Sequence, residues 1–247
     1  MRLGDRPPSL RPQDDRREEG EVCFEPVDVV HGRTIVRYPG AELRSRAAAA
    51  TRVTIDLGAG DGRLAYRLAH AHPDWLCVAV DACAAALRRL SSRAGRKPGR
   101  GGAPNAVFIR AAVDSLPDAL EGIADEITVH YPWASLLRAL VEPDPAVLRA
   151  IARAGRPGAK LRVRLNVSAL VSARVDVGAF TGRAESTLRC GYAAGGIRLD
   201  ACGLVVAEAE TSWSARVHQG RPATVLAIDG TLTRLEHAPE SEQKDPP

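Results

Sequence analysis

Aromatic residues are scarce: three phenylalanines, four tyrosines and three tryptophans make up 4% of the 247 residues, and methionine occurs once. Such a chain must build its core from Val, Leu, Ile and Ala, so a tryptophan on a loop needs a reason to be there. Cysteine is also thin. The five residues, Cys23, Cys77, Cys83, Cys190 and Cys202, are odd in number, widely spaced and without a CxxC pair. That excludes a disulfide framework and gives no zinc-ligand spacing, so they read as small buried hydrophobes and no metal site is expected. No apolar run is long enough to cross a bilayer, and the N-terminal MRLGDRPPSLRPQDDRREEG carries charge where a signal peptide needs an apolar stretch. The cytoplasm is the expected location, with no membrane partner. A strong charge of one sign is missing too: 34 basic against 30 acidic residues leave +4, which is compatible with nucleic acid without requiring it. There is no internal repeat.

What is present is an alternation of strand and helix. RVTIDL (52–57), GRLAYRLAHAH (62–72), WLCVAV (75–80), ACAAALRRLSSRA (82–94) and AVFIR (106–110) read as β, α, β, α, β, the pattern of a parallel sheet. DEITVHY continues as a fourth strand, helices follow within 133–154 and end at Gly155, and AKLRVRLNV is a fifth strand after a Pro157-Gly158 turn. GLVVAEAETSW and ATVLAIDGTLTRL have no helix between them and should pair antiparallel. VVHGRTIVRY, with Gly32 in its middle, predicts a small N-terminal hairpin. The expectation is a single α/β domain over 21–236, a Rossmann-like seven-stranded and mostly parallel sheet with an antiparallel last strand. Residues 1–20 and 237–247 have the composition of disordered tails.

The sharpest chemical signal is TIDLGAGDGR (54–63), where a strand ending at Asp56 feeds Gly58, Gly60, Asp61 and Gly62 and then a helix. Glycines there let backbone pass close under a ligand. The spacing is GxGxG rather than the GxGxxG of dinucleotide binders, and Asp61 stands where a pyrophosphate would need a bare helix N-terminus. A carboxylate at that point repels phosphate and suits a cation. S-adenosyl-L-methionine, with a sulfonium, an ammonium and no phosphate, meets that requirement. The second strand ends at Asp81, twenty-five residues after Asp56, where an acid can accept both ribose hydroxyls. After the third strand, Asp114 and the backbone of Val113 suit the adenine's amine, although Asp114 could instead cap a helix. His130 and Tyr131 sit at the fourth strand's carboxyl end, with His130 read as a pocket wall rather than a base.

Trp133 follows Pro132 on the loop after that strand, where a core position is the ordinary alternative. An enzyme acting on a nucleobase must take it out of its helix and hold it between apolar or aromatic faces. Trp213 follows the sixth strand beside Ser212, Ser214, Arg216 and Arg221 and could supply the second face; Trp75, opening the second strand, is assigned to the core. Positive charge gathers in RAGRKPGRGGAP (93–104), where Arg93, Arg96, Lys97 and Arg100 lie in a glycine-rich linker read as a flexible arm for phosphate contacts.

IDLGAGDGRLAYRLA, KPGRGGAPN, AAVDSLP, ADEITVHYPWASLLR and SWSAR, in this order, resemble the aminoglycoside-resistance methyltransferases of the kanamycin-apramycin type, over about residues 30–232. These are class I enzymes that use S-adenosylmethionine to methylate N1 of a decoding-site adenine in 16S rRNA of the 30S subunit. The resemblance implies cofactor contacts at Asp56, Gly58, Asp81, Val113, Asp114 and His130, and a flipped adenine between Trp133 and Trp213 near Pro132. It also implies RNA contacts from the 93–100 loop, Arg216 and Arg221. A monomer is the expected state. His130 stands where the family has an apolar residue, Ala223 where another arginine is expected, and residues 168–202 match poorly. Two other functions fit the same residues: a transfer-RNA guanine methyltransferase and a non-catalytic cofactor-binding homologue.

Overall fold

The computed structural model describes residues 24–172, 183–207 and 223–233. The two terminal tails, Cys23, Trp213, Arg216 and Arg221 lie outside the described residues. Nine strands form one mixed sheet: β1 (Val27–His31), β2 (Thr34–Tyr38), β3 (Arg52–Leu57), β4 (Trp75–Asp81), β5 (Ala106–Arg110), β6 (Ala124–His130), β7 (Gly155–Asn166), β8 (Ile197–Ala207) and β9 (Ala223–Leu232). The helices are α1 (Gly40–Ala49), α2 (Arg63–Ala71), α3 (Ala84–Ala94), α4 (Ala134–Val141), α5 (Pro145–Ala154), α6 (Val167–Ser172) and α7 (Arg183–Ala194). The strand order is β2-β1-β5-β4-β3-β6-β7-β9-β8. Strands β5, β4, β3, β6 and β7 run parallel, and β9 inserts antiparallel between β7 and β8.

The expected seven strands are there, but the hairpin is part of the sheet rather than an addition beside it. β1 pairs antiparallel with β5 through Val29 and Ile109, and this extends the sheet to nine strands. The edge of β5 would otherwise leave its backbone groups unpaired. Asp28 fixes the join by accepting hydrogen bonds from Arg37 on β2, at 3.0 Å, and from Arg110 on β5.

Alternation along the strands separates two cores. Val53, Ile55 and Leu57 of β3, Leu76, Val78 and Val80 of β4, and Leu161, Val163 and Leu165 of β7 pack with residues of α1, α4, α5 and α7. Cys77, Ala79 and Phe108 meet α2 and α3 on the other face. β3 and β4 are therefore buried on both faces, β4 as a nearly continuous apolar run and β3 with Thr54 and Asp56 among its buried residues. On β7 the second face carries Lys160, Arg162 and Arg164, which pair with Asp200, Glu126 and Asp229 respectively.

Several elements differ from the sequence reading. Helix α1 was not anticipated, because Ala and Arg surround it and only Gly40, Leu43 and Ala47 are buried. The Pro157-Gly158 segment is a bulge inside β7 rather than a turn before it: Gly155 pairs with Ala124, and Lys160 then pairs with Glu126. Within the poorly matching 168–202 stretch, α7 is tied down by Tyr192, whose buried hydroxyl donates to the Leu140 carbonyl at 3.1 Å. Only Cys77 among the described cysteines is fully buried; Cys83 and Cys190 are exposed. Trp75 is only half-buried at the start of β4, stacked on His72 at 3.8 Å with the Arg52 guanidinium 5.0 Å away on the ring face.

Candidate active site

The parallel strands end along one edge of the sheet, where an open α/β sheet forms its ligand crevice. A cavity of about 640 Å³ opens there, and Asp56, Gly58, Gly60, Asp61, Asp81, Val113, Asp114, His130, Pro132 and Trp133 all line it. Residues spread over almost eighty positions of sequence thus converge on one space. The glycine loop is shaped by backbone demands. Gly62 has φ +71°, and a Cβ there would lie 2.6 Å from the Phe108 ring, so only glycine fits both the conformation and the space.

Asp81 does more than stand ready for a ligand. One carboxylate oxygen accepts the Gly60 N–H at 2.8 Å and the other accepts the Cys83 N–H at 2.8 Å, linking the glycine loop to the start of α3. Asp56 is buried, and its carboxylate accepts a hydrogen bond from the Thr128 hydroxyl at 2.8 Å. Burial pushes its pKa up to about 7; Thr128 opposes this, and the charges of Asp81 and Asp61 add to it. Asp61 is already paired, with Arg89 at 3.4 Å and Arg63 at 3.7 Å, so its charge is partly neutralised rather than fully available to a cation. Burial lowers the His130 pKa to about 4, helped by Arg164 and Arg162, so its imidazole is neutral at physiological pH. Asp114 caps no helix: it lies within a short 3-10 turn and is hydrogen-bonded by the Ser115 hydroxyl at 3.2 Å, which removes the capping reading.

The donor set states what the cavity suits. Its acidic lining is five aspartates (Asp56, Asp61, Asp81, Asp114 and Asp144), of which Asp56 is partly protonated near neutral pH, against Arg63 and a neutral histidine. A phosphate would be repelled, whereas a small cationic ligand with an apolar ring and sugar hydroxyls fits. S-adenosylmethionine has that chemistry. Thr128 and Arg89 were missed by sequence reasoning, because their partners lie 72 and 28 residues away and no local pattern announces them.

Trp133 is 54% exposed at the cavity, so it is not a core residue. The loop that carries it is strained. Tyr131 has φ +54° and Ala134 φ +49°, conformations that cost non-glycine residues about 1–3 kcal/mol each. Tyr131 is buried and donates its N–H to the Arg164 carbonyl at 2.7 Å. Trp213 is outside the described residues; the strand ends on either side of 208–222, Ala207 and Ala223, pair with each other. They lie at the sheet edge where β6 runs into Trp133, because β9 is antiparallel to β7 and Asn166 pairs with Val225.

The basic loop departs from expectation in two ways. It is a folded turn rather than a flexible arm: Arg100 N–H and Gly102 N–H donate to the Lys97 carbonyl, and the Tyr66 hydroxyl donates to the Gly101 carbonyl at 2.6 Å. Arg93 lies over the Tyr66 ring at 5.6 Å, while Arg96, Lys97 and Arg100 are exposed and form no ion pair among the described residues. The loop also precedes β5, so it leaves the sheet from the edge opposite the cavity.

Known proteins align with this arrangement. The NpmA family, 16S rRNA (adenine(1408)-N(1))-methyltransferase, matches residues 28–232. The 16S rRNA (adenine(1408)-N(1))-methyltransferase of Streptoalloteichus tenebrarius is 35% identical over 213 residues, covering 83% of this chain and 98% of that protein. Among solved structures, the antibiotic-resistance methyltransferase Kmr is 37% identical with a TM-score of 0.74, covering 85% of this chain and all of that one. A tryptophan-to-alanine mutant of the 16S rRNA (adenine(1408)-N(1))-methyltransferase from Catenulisporales acidiphilia, crystallised with cosubstrate SAM, is 30% identical with a TM-score of 0.76 over 86% of this chain and 99% of that one. The fold is accordingly of the class I SAM methyltransferase type with a mixed sheet. Likeness of this extent in both sequence and fold settles the lineage: this chain belongs to the 16S rRNA (adenine(1408)-N(1))-methyltransferase family.

Proposed function

We propose that this protein transfers a methyl group from S-adenosylmethionine to N1 of adenine 1408 in 16S rRNA of the 30S subunit, and so confers aminoglycoside resistance. The observation that carries the reading is an exposed indole, Trp133, at the mouth of an acidic, phosphate-repelling cavity. In this reading Asp81 accepts the ribose hydroxyls, and Asp114 with the Val113 backbone meets the cofactor's adenine. Asp56, Asp61, Gly58 and Gly60 border its charged end, and His130 forms part of the wall. Bound there, the cofactor supplies an electrophilic methyl on sulfur.

The protein's own task is positioning. Adenine N1 already carries an in-plane lone pair, so attack needs alignment rather than a general base, and a neutral His130 is consistent with that. Trp133, Pro132 and Trp213 hold the flipped adenine, and the stacking offsets the few kcal/mol, about the worth of one or two base-aromatic contacts, spent in extracting it. Arg93, Arg96, Lys97, Arg100, Arg216 and Arg221 contact phosphates. N1-methyladenine carries a positive charge and a methyl on its pairing edge, which repels a cationic aminoglycoside and removes an acceptor. The protein works in the cytoplasm as a monomer. Among the described residues no helix is long and apolar enough to cross a membrane.

Primer extension on 16S RNA from cells expressing the chain tests the proposal, because an N1 methyl stops reverse transcriptase. A stop at adenine 1408 is expected; methyl transfer to bulk tRNA but not to 30S subunits would overturn it, and cofactor binding without transfer to any RNA would mark a non-catalytic homologue.

A further inference from the structure

The loop Tyr131-Pro132-Trp133-Ala134 breaks two conformational preferences at once. A residue before proline is normally extended with negative φ, yet Tyr131 has φ +54°. Three contacts hold it there: its buried ring, an edge-on approach to His130 at 6.3 Å between centroids, and its N–H bond to the Arg164 carbonyl. Ala134, at φ +49°, is a different case. It is exposed, and it is absent from the cavity lining. No packing demand selects a small side chain at this position. The one constraint is the backbone, which Gly and Asn adopt readily and a β-branched residue does not.

We propose that Ala134 is a positioning residue for methyl transfer: its left-handed backbone, set against that of Tyr131, turns Trp133 outward and keeps the indole at the cavity mouth as a preformed platform. The geometry explains how an indole can stay 54% exposed at the start of a helix whose next turns, through Leu137 and Leu140, are buried. Between two left-handed residues and beside a ring-locked proline, Trp133 keeps an ordinary extended backbone, at φ −124° and ψ 165°. The loop cannot swing without leaving those wells. The platform is therefore set before the base arrives, and its orientation is not acquired on binding. This inference rests on the proposed function for the meaning of the platform, and on the backbone alone for its existence.

Three substitutions at one position test it: Ala134→Gly, Ala134→Asn and Ala134→Val. Asn and Val are close in size, and only Asn tolerates positive φ. Gly and Asn are expected to keep transfer to 30S subunits within about twofold, whereas Val should lower kcat/KM for the subunit by about tenfold or more with an unchanged Kd for S-adenosylmethionine. Gly should also raise the urea midpoint, since it relieves strain. In a Trp75→Phe, Trp213→Phe background, where Trp133 is the remaining indole, acrylamide quenching of the apo protein should be the same for Ala134, Gly and Asn and should change for Val. Val with the parent's rate and quenching, Asn falling as far as Val, or Gly lowering the urea midpoint would each overturn the proposal. A wild-type chain inert towards 30S subunits would instead count against the proposed function, since the midpoint and the quenching judge the loop without any transfer.

Discussion

Replacing Asp56 by asparagine should remove one component of the pH dependence of stability. Asp56 is buried, hydrogen-bonded by Thr128, and its pKa is raised from the ordinary 3.8 to about 7. Between those values the unfolded chain has lost this proton and the folded chain keeps it. Folding stability therefore falls as pH rises through that window, at up to about 1.36 kcal/mol per pH unit. From pH 5 to pH 7 the single group removes roughly 2–3 kcal/mol, a large share of the margin of a typical domain. Asparagine keeps an oxygen that can accept the Thr128 hydroxyl and cannot ionise, so it stands in for the protonated acid at every pH. Urea unfolding of both proteins at pH 5, 6, 7 and 8 should give a difference in stability that moves in favour of the variant as pH rises and levels off above about 7. All other titrating groups are shared and cancel. The same proton couples to the cofactor: a cation settling beside Asp56 favours the carboxylate, so affinity for S-adenosylmethionine should climb with pH towards neutrality in the wild type and stay flat in the variant. Parallel stability profiles for the two proteins would refute the argument, because they would mean that Asp56 titrates alike in the folded and unfolded chains.

Further outcomes follow from other positions. His130 works in the opposite sense: the unfolded chain takes up a proton below 6.5 that the folded chain refuses until about pH 4, so stability drops by about 3 kcal/mol on acidification through that range, and His130→Gln should flatten this limb of the denaturation profile. Trp133→Ala and Trp213→Ala should each fold and bind S-adenosylmethionine normally yet lose transfer to 30S subunits, by about 5- to 150-fold per lost stacking contact; either mutant at the wild-type rate would end the two-indole arrangement. Gly62→Ala forces a Cβ to within 2.6 Å of the Phe108 ring at φ +71°, and should destabilise the chain by about 2–4 kcal/mol in urea melts, with cofactor binding weakened as the loop shifts.

What the chain's order of residues determined by itself was local. Hydrophobic runs of strand length, helical periods between them and a glycine loop at a strand end fix the class of fold, because each is decided within a few residues. That is why β3 to β6, the hairpin turn at Gly32 and the acids Asp56, Asp61, Asp81 and Asp114, which line one cavity, could be singled out from the letters alone. The tertiary structure decided what depends on partners distant in sequence. Only the sheet brings Thr128 to Asp56 and joins the hairpin to β5, and only burial raises one aspartate while it lowers a histidine. Backbone strain at Tyr131 and Ala134 is likewise invisible in letters, since the contacts that enforce the first come from β7. The glycine-rich basic stretch shows the reverse error: composition suggests freedom, but Tyr66, some thirty-five residues earlier, closes the turn with one hydroxyl. Local propensity acts over a few bonds, whereas protonation, strain and loop anchoring are set by whatever the fold packs alongside.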